Sequence, residues 1–123
     1  MKKFLCAVLF VLVLAGLSYA AEDAGTVSIQ DFYAQAKNSL KFERLYVGKY
    51  VTVTGCKVLE IEAEGNYYVL RAWSGAGSVY FIFTAADAEQ IVDLDEGDVV
   101  TIRGFVRGHD SYGIHLSNCE IIK

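Results

Sequence analysis

The sequence predicts a mainly β protein that closes as a five-stranded Greek-key barrel, with a helix before the barrel and a short helix between its third and fourth strands. Three observations support this fold class. Apolar and polar residues alternate with a period of two over five segments. Turn-forming residues separate those segments. Two long segments contain an internal glycine, which is where a strand can bend sharply enough to serve both sides of a barrel.

Residues 1–20 have the pattern of a cleavable signal peptide. Two lysines precede an unbroken apolar run over residues 4–15, and Ser18 and Ala20 provide the small residues of a cleavage site. A membrane-spanning helix needs about 20 apolar residues, so this shorter run favours cleavage over a permanent anchor. The cleavage site lacks the cysteine that lipidation requires. The sequence therefore predicts a periplasmic or secreted protein that keeps no stable membrane anchor.

Cleavage would make the protein more acidic. The full chain has 11 basic and 15 acidic residues and a net charge of −4. Because the leader contains two lysines and no acid, the remaining 103 residues carry a charge of −6. Such a surface repels phosphate backbones and disfavours non-specific binding to nucleic acid. The length suits one domain, with a tail and helix over residues 21–45 and a barrel over residues 46–123.

Two cysteines, Cys56 and Cys119, remain after cleavage. An even number of cysteines in an oxidising compartment predicts a disulfide, which would stabilise the fold by about 4 kcal/mol. The alternative is a pair of buried free thiols on neighbouring strands. Together with His109 and His115, these cysteines do not have the spacing of a zinc site, and we expect no metal or cofactor.

The region before the barrel is expected to contain one helix. Residues 21–27 are expected to be a loose tail. Ser28 is a suitable N-cap for a helix over residues 28–37, and Asn38 is a plausible end. The apolar face of this helix follows the spacing i, i+3, i+4 and i+7, and its residues are Ile29, Phe32, Tyr33 and Ala36. The next segment is expected to pack onto the barrel through Leu40, Phe42 and Leu45.

The five strands are expected over residues 50–62, 67–73, 78–83, 98–106 and 112–122, and the short helix over residues 85–94. Gly55 and Gly104 should bend the first and fourth strands. The segments GKYVTVTG (48–55) and GDVVTIRG (97–104) share one pattern. We therefore expect these two strands to occupy similar environments in the barrel.

The order of three strands, a short helix and two strands is that of the OB-fold. The segments YVGKYVTVTG (46–55), GDVVTIRG (97–104) and IHLSNC (114–119) resemble the bacterial tRNA_anti-like OB family. This resemblance covers residues 28–123 and implies a small domain of a kind that is often exported or lipid-anchored. Family members often carry cysteines where this chain has Phe81 and Phe105. The resemblance therefore does not imply the Cys56–Cys119 pairing.

OB domains bind ligands across their second and third strands, and strand alternation indicates which side chains face outwards there. Arg71 is not expected to be buried without a partner, which sets the outward side of its strand. The same logic applied to the other strands gives the candidate binding residues Tyr67, Arg71, Trp73, Tyr80, Arg103 and His115. Aromatic rings and guanidinium groups form a stacking surface. The alternatives are cross-strand packing that only stabilises the sheet, or cover by the N-terminal helix.

Other polar groups point less clearly to a function. Residues 109–111 have the residue types of a hydrolase triad, but they are adjacent in a turn, whereas triads are assembled by geometry. Glu60, Glu62 and Glu64 alternate along one strand, which suits a solvated face or a cation site. We therefore expect no catalytic residues and a non-enzymatic exported module that binds an oligosaccharide, peptide or nucleic-acid fragment. The alternative is an interaction domain that docks a protein partner or self-associates.

Overall fold

The computed structural model describes residues 22–123. The predicted signal peptide, residues 1–20, lies outside the described residues. Within residues 22–123, the helices are all too short or too polar to cross a membrane.

Six strands and three short helices make up the described chain. In order they are β1 (Asp23–Ser28), α1 (Ile29–Gln35), α2 (Ser39–Leu45), β2 (Tyr50–Glu64), β3 (Tyr67–Trp73), β4 (Ser78–Thr84), a 3-10 helix (Ala85–Gln90), β5 (Val99–Asp110) and β6 (Gly113–Ile122). The predicted short helix is thus a 3-10 helix that ends at Gln90. The side-chain oxygen of Gln90 accepts a hydrogen bond from the Ile121 N–H at 2.7 Å, which fixes the end of this helix to β6.

Strands β2 to β6 form the predicted closed barrel. Antiparallel pairs join β2 to β3 and β3 to β4, and a parallel pair joins β4 to β6. Strand β6 pairs antiparallel with β5, and β5 closes the barrel by pairing antiparallel with β2. The prediction of a mainly β, five-stranded OB-type barrel is confirmed.

The two internal glycines lie at irregularities in the strands. Gly55 has φ +72° and lies where the register of β2 against β5 shifts, so it provides a left-handed backbone conformation that other residues rarely adopt. Gly104 lies at a register shift between β5 and β6. A Cβ atom there would lie 2.6 Å from the Sγ atom of Cys119, so glycine permits the close approach of β6.

The two similar segments, residues 48–55 and 97–104, make equivalent contacts at opposite ends of the antiparallel pairing of β2 with β5, which we call the β2–β5 seam. The N–H of Gly48 donates to the carbonyl of Val106 at 2.9 Å, and the N–H of Gly97 donates to the carbonyl of Val58 at 2.8 Å. Val106 and Val58 each donate in return to the residue that follows the glycine. The similar environments expected from the repeated pattern are therefore present.

The core has the expected alternation of the strands. Its largest fully buried side chains come from every barrel strand and both α-helices, and include Phe32, Phe42, Leu70, Phe81, Phe83, Ile102 and Leu116. At one end of the barrel, Phe32, Phe42 and Tyr46 form an aromatic cluster with ring centroids 5.0–5.4 Å apart. The two α-helices therefore close this end of the barrel.

The expectation of a loose N-terminal tail is wrong. Asp23–Ser28 form β1, which runs parallel to β2. Strand β3 pairs with β2 only from Lys57 onwards, so the same edge of β2 is open over its first residues and β1 occupies it. The N–H of Tyr50 donates to the Glu22 carbonyl at 2.8 Å, which extends this pairing to the first described residue.

The helical region also differs from the prediction. Ser28 is the N-cap of α1, as expected, and its hydroxyl accepts from the Asp31 N–H at 3.2 Å. Asn38 does more than end a helix. Its side-chain oxygen accepts from the Lys41 N–H at 3.1 Å and caps a second helix, α2, where a connecting segment was expected.

The predicted disulfide is absent. Cys56 and Cys119 are both buried free thiols, which was the alternative. Cys56 Sγ donates to the Val53 carbonyl at 3.3 Å, and Cys119 packs against Gly104. Burial raises the pKa of the Cys56 thiol to about 12 and also raises the pKa of Cys119. Both groups therefore behave as small apolar core residues.

Candidate ligand-binding face

The candidate face is the outer surface of β3 and β4, between the turn at residues 64–67 and the turn at residues 110–113. The side chains of β3 alternate, so that Leu70 and Ala72 point into the core and their neighbours point outwards. At the two ends of β3, Tyr67 and Trp73 are each 42% exposed. We call this surface the β3–β4 face.

A row of polar and aromatic side chains crosses the middle of the β3–β4 face. Register places Glu60 opposite Arg71, Arg71 opposite Tyr80, and Tyr80 opposite His115, on four adjacent strands. Asp110, the last residue of β5, continues the row beyond His115. We call these five residues the central row.

Arg71 is held in place by its neighbours within the row. Its Nε and Nη2 atoms donate to Glu60 Oε1 at 3.1 and 2.8 Å, and its Nη1 atom donates to the hydroxyl of Ser78 at 3.2 Å. Because three of its nitrogens are engaged, the guanidinium plane is fixed before any ligand arrives. Such preorganisation lowers the entropic cost of binding.

The other half of the row is a stack of two rings. The imidazole of His115 lies against Tyr80, and its Nε2 atom is 3.2 Å from Asp110 Oδ2. Asp110 Oδ1 also accepts from the N–H groups of Tyr112 and Gly113 at 2.8 and 3.2 Å. The Tyr112 N–H, aided by His115, holds the pKa of Asp110 below its ordinary value.

Gly113 fits the β5–β6 turn closely against the start of β4. A side chain at this position would overlap the carbonyl oxygen of Ser78. The absence of a side chain therefore lets the turn that carries Asp110 approach the β3–β4 face. Tyr112 at the tip of this turn is 75% exposed and adds a third accessible ring.

Three carboxylates follow one margin of the face. Glu60, Glu62 and Glu64 on β2 lie opposite Arg71, Val69 and Tyr67 on β3. The structure brings no three metal-ligating side chains together anywhere in residues 22–123. Glu62 and Glu64 are exposed and Glu60 pairs with Arg71, which fits the interpretation of this run as a solvated face.

The structure separates Arg103 from the other candidate residues. Its Nη2 atom is 3.3 Å from Asp23 Oδ2, and its guanidinium carbon lies 4.2 Å from the centre of the Tyr50 ring. A more distant carboxylate, Glu120, approaches its Nη1 atom at 3.9 Å. Arg103 thus fastens β1 to the outside of β5, whereas Arg71, Tyr80 and His115 meet on the β3–β4 face.

Sequence reasoning missed the roles of Glu60, Asp110 and Ser78 in holding this face. The carboxylate run and the 109–111 turn were visible signals, but their partners lie on other strands. His109 does not join Asp110 in a triad. Its ring packs edge-on against Phe42 with centroids 5.2 Å apart.

The N-terminal helices do not lie over the exposed aromatic rings. Tyr33 of α1 packs over Gly77 in the β3–β4 turn, a position where any side chain on residue 77 would overlap the tyrosine ring. This contact places α1 at the end of the face, and the rings of Tyr67 and Trp73 stay accessible.

Comparison with known families agrees with this fold. The tRNA_anti-like family matches residues 17–121, which is most of the sequence. The chain belongs to the tRNA_anti-like family. This family is one of OB-fold binding domains. Among proteins with curated descriptions, none matches the chain.

Three solved structures resemble this tRNA_anti-like domain. One is described as a candidate nucleic acid-binding lipoprotein from Klebsiella pneumoniae. It is 26% identical, with a TM-score of 0.68, and the match covers 80% of this chain and 91% of the other. A replication factor A related protein from Methanobacterium thermoautotrophicum is 18% identical over 66% and 87% of the two chains, with a TM-score of 0.52.

The third structure is described as a candidate aspartyl-tRNA synthetase from Leishmania major. It is 11% identical with a TM-score of 0.57, and the match covers 80% of this chain but only 20% of the synthetase. At these identities, the replication factor A related protein and the synthetase show the shared OB fold alone.

Proposed function

We propose that this tRNA_anti-like domain is a non-enzymatic, exported binding module that holds an extended ligand across the β3–β4 face. The observation that carries the proposal is the placement of exposed rings on both sides of a preorganised polar row and beyond one of its ends. Tyr67 and Trp73 flank Arg71 on one strand, and Tyr112 lies beyond the far end of the row. Ring-shaped units of a ligand would stack on these side chains while the row hydrogen-bonds to their polar edges.

The charges on the face favour an uncharged ligand, and we propose an oligosaccharide. Arg71 and His115 each lie beside a carboxylate, and Glu62 and Glu64 add negative charge along the margin. A polyphosphate would meet this field with little cationic compensation. Sugar rings carry no such charge, and their hydroxyl groups can both donate to carboxylates and accept from a guanidinium group.

A nucleic-acid fragment is the second candidate. The Klebsiella structure that resembles this chain is described as a candidate nucleic acid-binding protein. On this chain, Lys57 lies opposite Trp73 and could accompany one phosphate beside a stacked base. This arrangement would suit a short single strand better than a duplex.

Export rests on two observations. Residues 1–20 have the pattern of a signal peptide, and the Klebsiella protein is described as a lipoprotein. We expect mass spectrometry of the protein recovered from the periplasm or medium to find a chain that begins near Ala21. Recovery of the intact precursor from the cytoplasm would contradict export.

Trp73 is the only tryptophan in the chain and lies on the proposed site, so its fluorescence reports binding directly. The protein would be titrated with cello-, chito- and xylo-oligosaccharides and with single-stranded oligo(dT) at low and high salt. We expect a saturable, salt-insensitive change with an oligosaccharide. Saturable binding of oligo(dT) that weakens steeply with salt would instead support the nucleic-acid candidate.

Two matched arginine variants locate the site. Arg71→Ala should weaken binding by about tenfold or more, because hydrogen bonds from a charged group contribute about 1.5–3 kcal/mol. Arg103→Ala removes the same charge from an ion-paired arginine elsewhere on the barrel and should leave binding unchanged. Equal effects of the two variants, or no fluorescence response to any of these ligands, would count against the β3–β4 face.

A further inference from the structure

A second surface lies on the opposite side of the β2–β3 hairpin from the β3–β4 face. Beyond the barrel, the inward side of this hairpin and the segment that follows β4 enclose a groove of about 860 Å³. Its apolar lining includes Ile61 and Ala63 from β2, Tyr68 from β3, and Val92. Glu89 and Asp93 stand among these residues. We call this surface the end groove.

The end groove exposes apolar side chains that the fold could have buried. Val92 is 72% exposed, and Ala63 is also exposed, while Ile61 and Tyr68 are only half-buried. Scattered exposed apolar residues are normal on a protein surface. Here they converge on one concave site whose volume is in the range of ligand pockets.

The segment that follows β4 carries charge of a single sign, and the basic residue Lys123 lies beside it, where it lines a neighbouring cleft together with Glu89 and Asp93. Between Arg71 and Arg103 the chain has no basic residue and six acidic ones, which are Asp87, Glu89, Asp93, Asp95, Glu96 and Asp98. Some of them serve the fold, since Asp87 accepts from Thr84 and Gln90, and Asp98 accepts from the Asp95 N–H. Glu89 and Asp93 line the groove itself.

We propose that the end groove binds a peptide segment of a protein partner in which apolar side chains alternate with lysine or arginine. An anionic ligand would be repelled by the acidic segment. A purely apolar ligand would bury the carboxylates of Glu89 and Asp93 without partners, which is costly. A basic, apolar peptide fills the groove and pairs with both carboxylates. This site is independent of the ligand bound by the β3–β4 face.

The test uses a short fluorescein-labelled peptide of alternating leucine and lysine, with fluorescence anisotropy as the measurement. Asp93→Lys reverses a charge inside the groove, and Val92→Asn makes its apolar lining polar without adding a charge. Each has a matched control on α2, at the other end of the barrel: Glu43→Lys for the charge reversal and Leu40→Asn for the apolar change, since Leu40 is 61% exposed. Circular dichroism would confirm that all four variants fold.

We expect each groove variant to lower the affinity for the peptide by about tenfold or more, which corresponds to about 1.4 kcal/mol. Each control variant should change this affinity by less than twofold. Arg71→Ala should leave peptide binding unchanged, which separates this site from the β3–β4 face. Equal losses in groove and control variants would show unspecific attraction and overturn the proposal. A dimer in sedimentation experiments that Val92→Asn dissociates would identify a second copy of the chain as the occupant, and would also overturn the proposal.

Discussion

The imidazole of His115 lies parallel to the phenol ring of Tyr80, with 5.0 Å between ring centroids and 10° between ring planes. The two residues are also direct register partners in the parallel pair of β4 and β6. This pair comprises only three register positions, so the stack reinforces a short junction of the barrel. It also holds the centre of the β3–β4 face rigid.

The stack should contribute measurable coupling energy to folding. We expect Tyr80→Ala and His115→Ala together to destabilise the protein less than the sum of the single changes, by about 0.5–1.5 kcal/mol. Urea denaturation of the four proteins at neutral pH would provide this value. Strictly additive effects would show that the two rings touch without stabilising each other.

Asp110 should make stability sensitive to acid. Its pKa in the folded chain is held below the ordinary value of 3.8, chiefly by the Tyr112 N–H. The carboxylate therefore contributes stability that is present above the unfolded pKa and is lost as the pH falls through the lower folded pKa. Asp110→Asn keeps an acceptor for the turn but removes the charge, so it should lose less stability between about pH 5 and pH 2.

Some acid sensitivity should persist in the Asp110→Asn variant. The Gly25 N–H and Arg103 hold the pKa of Asp23 below its ordinary value as well. Denaturant midpoints measured across this pH range would compare the two proteins. Identical pH profiles would contradict a stabilising role for the Asp110 carboxylate.

The two core thiols should be unreactive until the protein unfolds. We expect a thiol reagent to label neither Cys56 nor Cys119 in the native processed chain, and to label both in denaturant without a reductant. Labelling of neither residue in denaturant would instead demonstrate a disulfide. The assay counts modified cysteines by mass.

The same thiols should make the fold sensitive to alkali. The pKa of Cys56 is 9.0 when unperturbed and about 12 in the core. Above the unfolded value the unfolded chain binds fewer protons than the folded one, so stability falls by up to about 1.4 kcal/mol per pH unit for each thiol. Cys56→Ala should reduce this slope, which denaturant titrations at a series of alkaline pH values would measure.

Gly104→Ala tests the close approach of β5 and β6. The new methyl group would press against Cys119 and Leu116, so we expect a loss of about 1–3 kcal/mol in the free energy of unfolding. Adding Cys119→Ala removes the nearest atom and should recover part of that loss. If Cys119→Ala and Gly104→Ala destabilise independently, the overlap is not the cause.

Period-two alternation predicted the barrel well because it reports burial directly. Leu70 and Ala72 face inwards and Tyr67 and Trp73 face outwards, as their spacing indicated. The kink at Gly55 was also predictable, since a mid-strand glycine permits a backbone that other residues avoid.

The alternation of apolar and polar residues does not show where around the barrel an outward side chain lies. Arg103 and Arg71 both point outwards, but a closed barrel has an outer surface on all sides, and the two arginines lie on different parts of it. The pairing of Glu60 with Arg71 depends on register, which includes an irregularity between Val58 and Glu60. Nothing local in the sequence specifies such a shift.

Strand β1 escaped prediction for a related reason. Asp23–Ser28 have no strong alternation of their own, and they form a strand because β2 offers an unpaired edge. The Cys56–Cys119 pairing illustrates a further limit, since an even count of cysteines carries no information about their separation.

The β2–β5 seam has a consequence for how the chain reaches this structure. Val53 pairs with Ile102, whereas β2, β3 and β4 meet their sequence neighbours through short turns. Joining distant segments carries a larger entropic penalty than forming hairpins, and topologies rich in such contacts fold slowly. The three-stranded meander of β2, β3 and β4 can therefore assemble early, while the edge of β2 that pairs with β5 is still unpaired. Until that edge is covered it is open to pairing between molecules, so the rate of closure governs how easily newly made chains aggregate.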